Sequence, residues 1–187
     1  MKYCFKMRIE SIDGKIEVIT GCMFSGKSTE LLNRLKKCSA KFLLIKPKID
    51  TRYGLNIVST HSGKKESAIV VSSLSELSQN LKGIQILGID EAQFFPVEII
   101  KDCEKLKKMG LRIIIAGLDK DYLNNEFESL SGLMKIADSI TKLYAICSRC
   151  ESPATNSHRL SKEKTKILLG HKNCYEPLCK KCYNDVR

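Results

Sequence analysis

The segment GCMFSGKST at residues 21–29 constrains the fold of this chain more than any other part of its sequence. Gly21 is followed, after four residues, by Gly26, Lys27 and Ser28, which is the phosphate-loop pattern. Glycines let successive backbone N–H groups turn inward around phosphates, the lysine reaches the terminal phosphates, and the hydroxyl holds Mg²⁺. Chance produces this pattern in roughly one chain in a hundred of such length. Because a β-branched run precedes the segment and a helical pattern follows it, the segment predicts nucleotide binding.

Strand patterns alternate with helix patterns through residues 1–145. Short β-branched or continuously apolar runs predict strands at residues 15–20, 41–46, 84–90, 111–117 and 143–147. Apolar stripes with helical spacing predict helices at residues 27–37, 73–82, 97–109 and 130–137. Residues 48–66 are polar without periodicity and predict a long loop. The alternation predicts an α/β fold in which helices flank a parallel sheet, of the RecA-like type.

Two adjacent acids follow an apolar strand pattern in GIDEAQFF at residues 88–95. In phosphate-loop proteins an acid at this strand end reaches Mg²⁺, and a second acid beside it can accept a proton from the attacking nucleophile. Asp90 and Glu91 can divide these two roles, and the alternative is an ordinary solvated strand end. Phe94 follows closely and is either a core residue or a ring that stacks on a substrate base.

Nine cysteines are many for 187 residues, and their positions matter more than their number. Two CxxC pairs, Cys147 with Cys150 and Cys179 with Cys182, bracket residues 151–178. Four thiolates satisfy tetrahedral Zn²⁺ and leave no open position, so such a site is structural rather than catalytic. Redox-active cysteines, or cysteines without a metal, are the alternatives. The clustering predicts two domains, a nucleotide-binding domain at 1–145 and a small zinc-binding domain at 146–187.

The formal net charge is +11, which suits an anionic partner such as a nucleotide, a nucleic acid or a membrane surface. No aliphatic run approaches the roughly 18 residues that span a bilayer, and the first residues lack an apolar signal region. We therefore expect a cytoplasmic protein. Arg52 lies in a loop that can fold over phosphates, whereas His61, His158 and His171 show no metal or triad spacing and are expected to be surface or loop residues.

Four motifs occur in a fixed order: GCMFSGKST, KPKIDTRYG, GIDEAQFF and the two terminal cysteine pairs. Together they resemble the motifs of the zinc-containing thymidine kinase family, from about Lys15 to Tyr183. The resemblance implies that ATP donates its γ-phosphate to the 5′-hydroxyl of thymidine, giving thymidine monophosphate and ADP. It also implies a homotetramer with Mg²⁺ and structural Zn²⁺ as cofactors, and no nucleic acid or membrane as a partner.

Carried over by position, the resemblance makes Glu91 the catalytic base and places Arg52 near the transferring phosphate. It implies that the nucleotide and Mg²⁺ are held by Gly21, Cys22, Met23, Phe24, Ser25, Gly26, Lys27, Ser28, Thr29, Asp50, Arg52, Asp90 and Gln93. It implies a nucleoside pocket formed by Met23, Phe94, Leu118, Tyr122, Phe127, Ser157 and Tyr175. The segment between the cysteine pairs would be a zinc-tied lasso whose backbone, at residues 169–175, contacts the thymine edge.

Two other classes of protein share some of these features. A nucleic-acid-stimulated ATPase would also be basic, with paired acids and a zinc ribbon, but it usually needs a further domain or subunit to supply an arginine finger. A zinc-stabilised binding module would leave Lys27 and Glu91 without a purpose. ATP turnover that requires a nucleoside, rather than a polynucleotide, separates the leading interpretation from these two.

Overall fold

The computed structural model describes residues 14–50, 56–59, 63, 65–161 and 174–186. The strands within these ranges are β1 Lys15–Thr20, β2 Phe42–Pro47, β3 Ile57–Ser59, β4 Lys65–Ser67, β5 Ile69–Val71, β6 Ile86–Ile89, β7 Arg112–Gly117, β8 Ser139–Lys142, β9 Ala145–Ile146, β10 Pro153–Ala154, β11 Asn156–Arg159 and β12 Tyr175–Leu178. The α-helices are α1 Lys27–Lys37, α2 Ile99–Lys108, α3 Glu128–Ile136 and α4 Lys180–Asn184. Short 3₁₀ helices occupy Leu74–Leu77 and Ala92–Phe94.

Six strands form one parallel sheet in the order β5-β2-β6-β7-β1-β8. The predicted α/β fold with a parallel sheet is therefore confirmed. Because all six strands run the same way, their carboxyl ends meet at one edge, which is where ligands bind in open α/β sheets. The segments that follow β1, β6 and β7 begin at this edge, and they carry the phosphate loop, the paired acids and Leu118.

Apolar side chains cover both faces of the sheet. One face packs with α2 and α3 in a cluster that includes Val18, Leu87 and Ile115, and the other packs with α1 in a cluster that includes Ile19 and Ile114. Burial on both faces explains why the central strands are almost continuously apolar in sequence. None of the described helices is long and apolar enough to cross a membrane.

A third buried cluster joins the phosphate loop to the C-terminal segment, which we define as residues 145–161 and 174–186. Its members are Cys22, Ala145, Cys147, Ala154, Leu178, Cys182 and Tyr183. The C-terminal segment contains two antiparallel pairs, β9 with β10 and β11 with β12, followed by α4. Since Cys22 belongs to the phosphate loop, this small cluster packs directly beside the predicted nucleotide site.

The structure agrees with the predicted bounds of β1 and α1, and the elements predicted at 41–46, 84–90, 97–109, 111–117 and 130–137 match β2, β6, α2, β7 and α3 to within two residues. The described parts of residues 48–66 are not all loop, because β3 pairs antiparallel with β4, and strands this short carry no periodicity. The helix predicted at 73–82 is only a 3₁₀ turn at Leu74–Leu77, although the Glu76 carboxylate does accept the Ser73 N–H at 3.2 Å, as the capping pattern predicted.

Of the strand predicted at 143–147, only Ala145–Ile146 is a strand, and it pairs antiparallel with β10. The last strand of the parallel sheet is β8, which the sequence did not predict. β8 has the sequence SITK and lies at the sheet edge, where alternate side chains face solvent. An edge strand of this composition lacks the continuous apolar run that marks the central strands.

Glu17 is a buried carboxylate that connects several elements of this sheet. Its oxygens accept hydrogen bonds from Arg112 Nε at 2.8 Å and Arg34 Nη1 at 3.1 Å, and Arg34 Nη2 also donates to Thr141 Oγ1 on β8 at 2.9 Å. Burial raises the pKa of Glu17, but the hydrogen bond and charge of Arg112, together with Lys15 and Arg34, outweigh burial and lower the pKa below its ordinary value of 4.5. A carboxylate with a lowered pKa stabilises the fold above its unfolded pKa and loses that contribution as pH falls through the folded pKa.

We predict that Glu17→Gln lowers the free energy of unfolding by about 2 kcal/mol at neutral pH, because two guanidinium groups lose a buried partner. Urea unfolding over a series of falling pH values should show the difference between the two proteins shrinking as pH falls below the unfolded pKa of glutamate and through the lowered folded pKa of Glu17. Glu30→Gln is the matched control, since Glu30 also pairs with Arg34 but is more exposed, and it should cost under about 0.5 kcal/mol. A difference in free energy of unfolding between wild type and Glu17→Gln that stays the same as pH falls would contradict this account.

Candidate active site

The phosphate loop connects β1 to α1 through a backbone that turns repeatedly into the left-handed region. Gly21, Phe24 and Gly26 have φ values of 147°, 65° and 86°. At Gly21 a Cβ atom would lie 2.2 Å from the carbonyl oxygen of Leu143, so no side chain fits there. Gly26 faces open space, and its φ alone favours glycine. The first turn of α1, which begins at Lys27, then places a helix N-terminus at the loop, as anion binding requires.

Lys27 lies among acidic groups at the edge of the sheet where the carboxyl ends of the strands meet. Its Nζ donates a hydrogen bond to the carbonyl oxygen of Cys22 at 2.7 Å. Burial lowers the pKa of Lys27, while the nearby charges of Glu91, Cys22, Asp90 and Asp119 act in the opposite direction. A phosphate brought to this position would add a further anion beside the ammonium group and favour its charged form.

Ser28 and Asp90 meet at the start of α1. The Ser28 hydroxyl donates to Asp90 Oδ1 at 3.0 Å, and the backbone N–H of Asp90 donates to the Ile45 carbonyl at 2.9 Å. Asp50 follows β2, the strand beside β6, and its side chain is also buried. A hydroxyl with carboxylate oxygens is the donor set that Mg²⁺ prefers, so these residues fit the metal that the phosphate-loop pattern implies.

Glu91 has a strained backbone and a fixed side chain. Its φ and ψ are 52° and 42°, a left-handed conformation that costs a non-glycine residue about 1 kcal/mol. Gln93 Nε2 donates to Glu91 Oε2 at 2.6 Å, and the N–H of Leu118 donates to Gln93 Oε1 at 3.0 Å. A Cβ atom on Gly117 would lie 2.9 Å from Gln93 Oε1, so this glycine leaves room for the amide. The arrangement holds the Glu91 carboxylate between the ends of β6 and β7.

Phe94 and Phe95 have different surroundings. Phe95 belongs to the buried core, whereas Phe94 is partly exposed and contacts Phe127 edge to face, with ring centroids 6.1 Å apart. Leu118 is also partly exposed at the same edge of the sheet. The structure therefore places Phe94, Phe127 and Leu118 beside the carboxyl ends of β6 and β7, where a substrate could contact them.

Ser157 and Ala154 of the C-terminal segment contact the phosphate loop directly. The N–H of Met23 donates to Ser157 Oγ at 2.9 Å, and the Cys22 thiol donates to the Ala154 carbonyl at 3.3 Å. Burial raises the pKa of the Cys22 thiol, although the charge of Lys27 opposes this effect. Cys22 is therefore a packing residue joined to the C-terminal segment.

Tyr122 and Tyr175 are brought together by a residue that the sequence did not single out. The guanidinium carbon of Arg159 lies 3.7 Å from the centroid of the Tyr122 ring, and Arg159 Nη2 donates to Tyr175 Oη at 2.6 Å. The Tyr183 hydroxyl donates to the Tyr122 carbonyl at 2.6 Å. A faint sequence signal exists, because Arg159 follows Ser157 by two residues and shares its face of β11.

The four cysteines of the CxxC pairs converge in space. Their sulfur atoms all lie within 4.8 Å of one another, and the sulfurs of Cys150 and Cys179 are 3.5 Å apart. Four sulfurs bound tetrahedrally at about 2.3 Å from zinc would be about 3.8 Å apart, so the cluster fits this metal. Burial raises the pKa of Cys147, but backbone N–H groups of Cys179, Arg149 and Cys150 outweigh it and lower the pKa to about 6.

The remaining predicted positions lie elsewhere or outside the described residues. His158 sits on β11 with its Nε2 4.0 Å from Glu176 Oε1, and it takes no part in the cysteine cluster. Arg52, His61, His171 and residues 169–173 are outside the described ranges.

Comparison with known proteins places this chain among relatives that match along most of its length. The family model described as thymidine kinase matches residues 14–183. A thymidine kinase of Bacteroides thetaiotaomicron is 43% identical over 179 residues, covering 93% of this chain and 89% of that protein. A thymidine kinase of Chloroflexus aurantiacus is 36% identical over 182 residues, covering 91% of this chain and 94% of that protein.

Among solved structures, the ATPase DotB of Legionella pneumophila is similar with a TM-score of 0.42 and 16% identity, over 78% of this chain and 45% of that one. A similarity at this level carries no argument about function. The family match and the curated relatives are the informative comparisons, because each extends over at least nine tenths of this chain. The chain belongs to the thymidine kinase family.

Proposed function

We propose that this protein transfers the γ-phosphate of ATP to the 5′-hydroxyl of thymidine, giving thymidine monophosphate and ADP. The observation that carries the proposal is the meeting of the phosphate loop with a fixed carboxylate at one edge of the sheet. Lys27 and the Ser28–Asp90 pair lie on the phosphate side, and Glu91, held by Gln93, lies beside them. Membership of the thymidine kinase family supports thymidine as the acceptor.

The phosphate loop, residues 21–29, holds the triphosphate in this proposal. Its turned backbone and the N-terminus of α1 supply N–H donors, and the Lys27 ammonium binds the terminal phosphates. Ser28, Asp90 and Asp50 would hold Mg²⁺, which when bound neutralises charge on the phosphate oxygens. We assign Arg52 to the transferring phosphate on the strength of the family motif alone.

Glu91 acts as the general base. Its carboxylate accepts the proton of the 5′-hydroxyl as the 5′-oxygen bonds to the γ-phosphorus and the bond from that phosphorus to its β-bridging oxygen breaks. ADP leaves with the electron pair of the broken bond. Gln93 donates to Glu91 through its amide and accepts the Leu118 N–H, so it orients the base relative to β7.

The nucleoside binds between the sheet edge and the C-terminal segment. Its pocket is formed by Met23, Phe94, Leu118, Tyr122, Phe127, Ser157 and Tyr175. The Met23–Ser157 hydrogen bond joins the two sides of this pocket, and the Phe94–Phe127 contact supplies aromatic surface for a base or sugar.

We also propose a division into a kinase domain at 1–145 and a zinc domain at 146–187, assembled as a cytoplasmic homotetramer. Zinc held by Cys147, Cys150, Cys179 and Cys182 would fix the base of the segment that carries Ser157 and Tyr175. A closed site of four thiolates binds no substrate, so its contribution is structural. Neither nucleic acid nor membrane takes part in the proposed reaction.

A panel of nucleosides with γ-labelled ATP tests the proposed reaction. We expect label transfer to thymidine, weaker transfer to other deoxynucleosides, and no stimulation of ATP turnover by single-stranded DNA or RNA. Turnover that depends on a polynucleotide and not on a nucleoside would overturn the proposal.

Glu91→Gln tests the base. Glutamine keeps the size and hydrogen bonding of glutamate but cannot accept the proton, so we expect kcat to fall roughly 10²- to 10⁴-fold with little change in nucleoside affinity. Glu98→Gln is the matched control, because Glu98 is exposed at the start of α2, outside the proposed site. Near-normal kcat in the Glu91 variant would remove this residue from the role.

The purified protein should contain about one zinc per chain by atomic emission. Cys179→Ser should lower the zinc content and raise the KM for thymidine at least about tenfold, because the base of the substrate segment is no longer fixed. Cys38→Ser, at the end of α1 and outside the cluster, should keep both values. A wild-type protein without zinc, or a Cys179 variant with unchanged thymidine KM, would contradict the structural role.

A further inference from the structure

Arg159 is a buried arginine that contacts two tyrosines of the proposed nucleoside pocket, Tyr122 and Tyr175. It lies on β11 directly opposite Tyr175 of β12 in the antiparallel register, and it is 6% exposed. Its Nε and Nη2 donate to Tyr175 Oη at 3.1 and 2.6 Å. Two donors on one oxygen fix the Tyr175 hydroxyl more firmly than a single hydrogen bond would, because the planar guanidinium has a rigid geometry.

The same guanidinium stacks on a ring from a different part of the chain. Its central carbon lies 3.7 Å from the centroid of Tyr122, in the segment between β7 and α3. The Tyr122 backbone is fixed in turn, since its carbonyl oxygen accepts the Tyr183 hydroxyl of α4 at 2.6 Å. A cation held over an aromatic face and away from water attracts the ring strongly. Arg159 therefore contacts both Tyr122 and Tyr175, which come from separate parts of the sequence.

Ser157 extends this connection to the phosphate loop. It precedes Arg159 by two residues, so both side chains project from the same, buried face of β11. Ser157 accepts the Met23 N–H, while Arg159 holds the two tyrosines. One short strand face thus sets the positions of three predicted pocket residues that come from separate parts of the sequence.

We propose that Arg159 is a positioning residue for the nucleoside, fixing the Tyr122 ring and the Tyr175 hydroxyl at the separation that the bound nucleoside requires. It acts through these two tyrosines. The inference deepens the proposed function and rests on it. A merely structural arginine would affect folding and both substrates alike, whereas a positioning residue affects nucleoside affinity selectively.

The test compares Arg159→Met and Arg159→Lys with Arg149→Met, the matched control. Arg149 lies in the same C-terminal segment, but its side chain is 44% exposed and pairs with Glu176 at 3.2 Å. Losing the stacked cation should weaken thymidine binding roughly 30-fold, the equivalent of about 2 kcal/mol. Calorimetric affinity for ATP and kcat at saturating thymidine should change less than about threefold, and the control should match wild type.

Lysine keeps the charge but cannot stack flat and donate twice, so Arg159→Lys should lose most of the thymidine affinity too. This variant also keeps the test decisive if the methionine variant does not fold. Adding Tyr175→Phe to Arg159→Lys should weaken binding by less than about threefold more, because the two residues act as a unit.

Thymidine affinity within about threefold of wild type in a folded Arg159 variant would overturn the proposal, as would a parallel loss of ATP and thymidine affinity. A wild-type protein that accepts another nucleoside and not thymidine would instead sink the proposed substrate. The affinity of the Arg159 variants would then be measured for that nucleoside, and a selective loss of it would still support the positioning role.

Discussion

Parallel pairing of β1, β6 and β7 brings three segments that are far apart in sequence to one edge of the sheet. In register, Thr20 pairs with Gly117, so the phosphate loop and Leu118 begin side by side. β6 ends one strand further along, which places Asp90 and Glu91 beside them. The positions of Lys27, the acids and the hydrophobic edge residues all follow from this alignment, which the apolar packing on both faces maintains.

Two unfavourable backbone conformations lie in the segments that follow strands of this sheet. Phe24 and Glu91 are non-glycine residues in the left-handed region, and each follows a strand of the central sheet. Such conformations persist only where the surrounding structure fixes them. Gln93 helps to fix Glu91, because its side-chain N–H donates to the Glu91 carboxylate. Gln93 is itself held by the Leu118 N–H, which donates to its side-chain oxygen, and by the Ser129 hydroxyl, which donates to its backbone carbonyl. The strain belongs to residues that the proposed chemistry uses.

Much of this arrangement could be predicted from the sequence because local patterns specify it. The phosphate loop carries its own residue pattern, β1 and α1 flank it with clear periodicity, and the CxxC pairs predicted the four-cysteine cluster. β8 could not be placed, since an edge strand such as SITK lacks a continuous apolar run. Arg159 was missed for a different reason, because an arginine is normally expected to be exposed to solvent. Its burial depends on distant residues, Tyr122, 37 positions away, and Tyr175.

Met23 links the phosphate loop to the C-terminal segment, because its backbone N–H donates to Ser157 Oγ. The Cys22 thiol makes a second bond across the same boundary, to Ala154. Any coupling free energy between ligands bound on the two sides is reciprocal. If the first ligand raises the affinity for the second, the second raises the affinity for the first by the same factor. Neither order of binding is privileged in such an equilibrium.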